Sequence, residues 1–127
     1  MNQHLQYVNL DYLEEISGGD LDFKKELIRI FLHQIPEFLS NMNLYLSDHQ
    51  NENLAKEAHT AKSSVLIFMM DGTGADLKQI QMYAAENKLD NIPWLIKKVE
   101  SSLECAFREL SAYLVEMEMI PVNQGNS

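Results

Sequence analysis

Apolar residues return every third or fourth position along this chain and never alternate over a sustained stretch, so the pattern predicts helices throughout and an all-α fold. Leu10, Leu13 and Ile16 make a first short stripe, with Asn9 placed to cap it and Gly18-Gly19 to end it. A second helix starts at Asp20 or Asp22 and runs to about residue 46 on Leu27, Phe31, Ile35, Phe38, Met42 and Leu46. Pro36 lies inside that stripe, and because the spacing continues in phase beyond it, a kink is expected rather than a break. After a polar turn at 47–53, Leu54, Ala58, Ala61, Val65 and Phe68 form the seam of a third helix ending at residue 69 or 70. Asp71-Gly72-Thr73-Gly74 reads as a break, with Asp71 or Thr73 capping a fourth helix that turns Leu77, Ile80 and Ala84 inward. Beyond a turn at 87–91, Pro93 suits the first position of a last long helix. That helix carries Leu95, Val99, Leu103, Ala106, Phe107, Leu110, Leu114 and Met117 to about residue 119, where Pro121 follows. Four long helices with short connections predict an antiparallel up-down four-helix bundle, the short first helix covering one end. Residues 1–120 read as one domain and 121–127 as a flexible tail.

Charge narrows the function. Ten Lys and Arg against nineteen Asp and Glu leave a net charge of −9 in 127 residues, which opposes binding to nucleic acid or to an anionic membrane surface. No apolar run approaches the roughly 20 residues of a membrane span, and the N-terminus lacks the basic start and apolar block of a secretion signal. A cytoplasmic protein is expected. The lone Cys105 can form no internal disulfide, and beside Ala106 it reads as a small apolar filler.

The bundle pattern does not itself specify an activity. A di-iron carboxylate site needs Glu-x-x-His pairs, and the residues three before the histidines are Met1, Ile30, Leu46 and Lys56. The Gly72-Thr73-Gly74 stretch has neither the preceding strand nor the lysine of a phosphate-cradling loop. His4, His33 and His49 have no partner at ligand spacing and read as surface histidines. His59 differs in its neighbours. It lies about 100° around the helix from the seam residues beside it, with Lys62 at i+3 and Ser63 at i+4 on the same outward face. Such a histidine is displayed to solvent next to a cation and a small residue.

The stretch Ala58-His59-Thr60-Ala61-Lys62-Ser63-Ser64 resembles the helical A-H-x-x-K-G/S-S motif of the histidine-containing phosphotransfer (HPt) domain family. The likeness extends over about residues 10–110. It includes Leu13-x-x-Ile16-x-Gly18-Gly19-Asp20, the Phe31…Pro36…Leu39 spacing, and the order of a cover helix followed by four bundle helices. Two departures are Ser63, where many members have Gly, and the lack of the usual Gly near the exit of the histidine helix, at 69–74.

The resemblance implies a phosphorelay intermediate in two-component signalling. His59 would accept a phosphoryl group from an aspartyl phosphate on a receiver domain and pass it to another, without independent turnover. Imidazole, with an ordinary pKa of about 6.5, is mostly neutral near pH 7 and needs no strong base to act as nucleophile. Lys62 would balance charge on the loose transition state, Ser63 would keep access open, and Ser63 or Ser64 could donate a hydrogen bond. A Gln on the following helix often holds the imidazole in this family. Counting without a gap places Gln81 there, one residue from Ile80 and four from Leu77, and a shifted register would place Gln79. Leu66, seven residues past His59 and so on the same face, marks with Ile67 a docking patch. The partners implied are response-regulator receiver domains or a hybrid sensor histidine kinase, meeting a monomer. No cofactor is expected on this chain, and any Mg²⁺ would come with the receiver. The rival expectation is a helical adaptor that binds receivers without accepting phosphate. The intact His59 and Lys62 weigh against it.

Overall fold

The computed structural model describes residues 5–119, so His4 and the tail 121–127 lie outside the described residues. Five helices follow one another with no strand among those residues: α1 (Asp11–Ser17), α2 (Leu21–Ser47), α3 (Asn51–Ile67), α4 (Asp71–Ala85) and α5 (Ile92–Met119). Successive long helices run antiparallel. Asn41 and Gln34 of α2 meet Glu57 and Ser64 of α3, His59 and Leu66 of α3 meet Gln81 and Gly74 of α4, and Lys98 of α5 meets Asp76 of α4. Packing of α2 on α5 closes the ring, and α1 lies on α2.

The core follows the predicted seams, from Phe31, Ile35 and Phe38 through Leu54, Ala58, Ala61 and Val65 to Leu103, Ala106 and Leu110. Phe31 and Phe68 stack with ring centroids 4.3 Å apart, an arrangement worth about 0.5–1.5 kcal/mol beyond area burial. Two predicted stripe residues are not core: Ile16 and Phe107 are exposed, while Ser17, Ile28, Ile92 and Ile96 are buried. In each stripe the apolar face is wider than one row of positions, and neighbouring elements select which edge is covered. Pro36 sits on the exposed side of α2, which continues unbroken across it.

Helix ends show where local chemistry acts. Asp20 caps α2, its side chain accepting from the Phe23 N–H at 3.0 Å, and Gly18 ends α1 in the left-handed region at φ +58°. Neither Asp71 nor Thr73 caps α4. The residues 71–74 predicted as a break are its first turn, with Thr73 and Gly74 buried. The chain reverses one step earlier, at Met69 (φ +56°), a conformation that costs a non-glycine residue roughly 1–2 kcal/mol. The Met69 and Met70 N–H groups donate to the Leu66 and Val65 carbonyls at 3.0 and 3.1 Å and so close the end of α3.

Two polar clusters tie α1 and the N-terminal arm to the bundle. Lys24, 6% exposed, is ion-paired to Glu14, donates to the Tyr113 hydroxyl at 2.7 Å and lies over that ring at 5.2 Å. The Glu109 carboxylate accepts the backbone N–H groups of Gln6, Tyr7 and Val8, tying the N-terminal arm to α5. Cys105 is more than an apolar filler: it is half-buried, with the Arg108 Nη2 3.4 Å from its sulfur. Its hydrogen bond with the Tyr7 hydroxyl holds the pKa of that phenol above the ordinary value.

Candidate functional site

The site is built on the α3–α4 hairpin. Two contacts fix its register. The His59 Nδ1 lies 3.4 Å from the Gln81 Oε1, and seven residues further along α3 Leu66 lies over Gly74, seven residues back along α4. A Cβ on Gly74 would stand 2.9 Å from the Leu66 Cδ2, so the missing side chain makes room for Leu66 between the helices.

The flank of α3 that faces α4 thus carries Ala55, His59, Lys62 and Leu66, spaced by four or three residues in one row. His59 is exposed, as its position off the buried Ala58 and Ala61 requires. Lys62 is half-buried one turn on, and makes no hydrogen bond or ion pair among the described residues. Ser63 is exposed at the centre of the outward face, its hydroxyl donating back to the His59 carbonyl at 3.3 Å. That bond uses the backbone acceptor one turn earlier and leaves the Ser63 side chain short and low beside the imidazole.

Of the two glutamines, the hairpin brings Gln81 to His59. Gln79 turns to the other side of α4, where it lines a cavity with Tyr83, Asn91, Trp94 and Leu95. Left-handed Met69 completes the turn without a change of register, so the ungapped count gives the glutamine that meets His59. Ser64 is not brought to the site. It lies on the opposite flank of α3 and donates to the Gln34 Oε1 on α2 at 3.1 Å. Ile67 likewise turns away from Leu66 and is half-buried against the core. Leu66 remains 43% exposed, and the apolar residue beside the site that the sequence reading missed is Met82, next to Gln81 and 44% exposed. Its position one residue past Gln81, outside the Leu77–Ile80–Ala84 stripe, was the available signal.

With Oε1 as the atom facing the ring, an Nδ1–H can donate to Gln81, which puts the lone pair on Nε2 at the open side. The 3.4 Å separation is longer than a formed N–H···O bond and suits a contact that tightens when the ring gains positive charge. No three His, Cys, Asp or Glu side chains among the described residues are grouped to hold a metal ion, and no helix there is long and apolar enough to cross a membrane.

No family model matches the sequence, and no curated protein matches it. Among solved structures, the chain is similar to histidine-containing phosphotransfer protein B (HptB) from Pseudomonas aeruginosa PAO1, with a TM-score of 0.80 over 87% of this chain and 96% of that one, at 16% identity. The chain therefore has the helical-bundle fold of a histidine-containing phosphotransfer protein.

Proposed function

We propose that this protein is a phosphorelay intermediate whose phosphoacceptor is His59. The observation that carries this reading is the His59–Gln81 contact, which engages Nδ1 and leaves Nε2 facing solvent beside an unpaired lysine. In the transfer, the Nε2 lone pair attacks the phosphorus of an aspartyl phosphate held by a receiver domain. The new N–P bond forms as the acyl O–P bond breaks, and the receiver's aspartate departs as its carboxylate. Nδ1 keeps its proton and donates it to Gln81, so the charge gained by the ring meets a fixed amide oxygen. Lys62 balances the equatorial oxygens, and Ser63 leaves room for them. Passage to a second receiver reverses the same bonds.

Catalysis beyond placement and charge is left to the receiver, which brings the Mg²⁺ that carboxylates favour. The protein is then no independent enzyme and needs no cofactor of its own. Its partners are receiver domains, free or within hybrid sensor histidine kinases, and the relay works in the cytoplasm. Leu66 with Met82, rather than Ile67, offers the apolar contact for docking.

The test is incubation with a panel of phosphorylated receiver domains. The expected result is acid-labile, alkali-stable label on the wild-type chain, lost in His59→Gln while its helicity is unchanged, since His59 is exposed. Full labelling of the variant, or label mapping to His33 or His49, overturns the assignment. Tight receiver binding without label on the wild type would establish the adaptor instead.

A further inference from the structure

The α3–α4 seam carries a second lysine. Three residues back from Gln81 stands Lys78, and three residues on from His59 stands Lys62. Because the helices are antiparallel, both lysines lie one turn from the imidazole on the same side of it. Lys78 is exposed, and like Lys62 it has no ion pair among the described residues.

No carboxylate shares this stretch of seam. Glu57 turns to α2, where it accepts from Asn41, and Asp76 turns to α5, where it pairs with Lys98. Asp71 stands two turns beyond Lys78, and Glu86 pairs with Lys88 past the far end of α4. In a chain of net charge −9, a carboxylate-free strip with two unpaired lysines is a local reversal of sign.

The two lysines are not equivalent. A helical side chain leans toward the N-terminus of its own helix. Lys62 on α3 therefore leans back toward His59. Lys78, on the antiparallel α4, leans away from Gln81 toward the level of Leu66 and Gly74. Lys62 is half-buried beside the reacting nitrogen, and Lys78 is exposed at the rim.

Resting on the phosphorelay reading above, we infer that Lys78 is a docking residue: it binds carboxylates at the edge of the partner's acidic phosphoacceptor pocket and does not act in the transfer step. A pocket built to hold Mg²⁺ and an aspartyl phosphate is rich in carboxylates, and an acidic chain meets it against net repulsion unless a basic strip leads. A rim charge acts on encounter and affinity with strong salt dependence, whereas a half-buried charge at the reacting atom acts on the rate of the bound complex.

The experiment measures single-turnover transfer from the receiver that labels the wild type best, across receiver concentrations and at low and high salt. Lys78→Gln is expected to raise the half-saturating receiver concentration about threefold to tenfold and Lys78→Glu further, with the plateau rate within about twofold of wild type. Raising the salt should shrink the difference, and Lys78→Arg should restore wild-type behaviour. A separate arm titrates the same receiver into the His59→Gln protein with and without Lys78→Gln by calorimetry, so affinity is read without any transfer. Unchanged affinity in that arm, or a lower plateau at unchanged half-saturation, overturns the inference. A wild type that binds but takes no label overturns the phosphorelay reading and leaves the role of Lys78 in docking to be decided by the calorimetry alone.

Discussion

The two flanks of α3 carry similar polar side chains and treat them in opposite ways. Toward α2, Glu57 accepts from Asn41 at 3.0 Å and Ser64 donates to Gln34 at 3.1 Å, so each polar group is matched by the neighbouring helix. Toward α4, His59 has one long contact to Gln81 and Lys62 has none among the described residues. Two lysines repeat the contrast, one buried and one half-buried. Lys24 is held by Glu14 and Tyr113, whereas Lys62 keeps all three donors free. Partnered polar groups between helices fix how the helices meet. A polar group held in place by packing but left without a partner keeps its hydrogen-bonding capacity for something that arrives later.

Lys62→Ala tests the unpartnered side and carries the largest expected effect. A lost charge-assisted contact of about 1.5–3 kcal/mol to the travelling phosphoryl group slows the transfer step roughly 10- to 100-fold at saturating receiver. The midpoint of urea unfolding should move little, within about 0.5 kcal/mol, because no folded-state partner is lost and alanine favours helix. Rapid-quench transfer and urea unfolding on the same samples check both halves. An unchanged rate would remove Lys62 from the chemistry, and a large stability loss would mean that it belongs with Lys24.

Lys24→Ala should do the reverse, costing stability and leaving the plateau transfer rate alone. Glu14 is half exposed and can be rehydrated, so the loss should fall toward the lower end of charged hydrogen bonds, about 1.5 kcal/mol. The pH dependence has a definite sign. Burial alone would lower the pKa of Lys24, but the hydrogen bonds to Glu14 and Tyr113 outweigh it and hold the ammonium's pKa above the ordinary value. The folded state thus binds that proton more tightly than the unfolded one. Its contribution is complete below about pH 10.4 and declines as pH rises through the folded value. Urea unfolding of wild type and Lys24→Met at pH 7 and at pH 11 should show their difference shrinking at the higher pH; a constant difference would deny the cluster its charge.

The same contrast explains what could be read from the sequence. Seam residues such as Leu54, Ala58 and Ala61 repeat at helical spacing, and covering them sets the helix count and order. His59 was legible because its place relative to that seam, and the neighbours Lys62 and Ser63, depend on one helix only. Gln81 needed only a hairpin count, which holds because Met69 turns the chain without inserting a residue. What failed depended on a third element. Ser64 lies one residue from Ser63, and only the position of α2 shows that its hydroxyl belongs to Gln34. Ile67 and Leu66 are alike in sequence, and the gap over Gly74 sets which one stays open beside the site. Lys24 falls in phase with Ile28, Phe31 and Ile35 but, being a lysine, gave no apolar signal, and its burial comes from α1 and Tyr113 closing over one end of α2.

Ser64→Ala is the finest test of the comparison, since it separates adjacent serines on the two flanks. Losing the bond to Gln34 costs a part-buried neutral pair about 0.5–1.5 kcal/mol. Better helix propensity of alanine returns a few tenths, and water can reach the half-exposed Gln34 amide, so the net loss should be about 0.5 kcal/mol. A double-mutant cycle with Gln34→Ala should recover that coupling, because each substitution alone already removes the bond. Transfer should stay within about twofold of wild type, since a bond of this size ties α3 to α2 and not to the flank where His59 stands. Slower transfer in Ser64→Ala, with Ser63→Ala unaffected, would show that the hydroxyl leaves Gln34 for the phosphoryl group, and the division between the two flanks would fail at that residue.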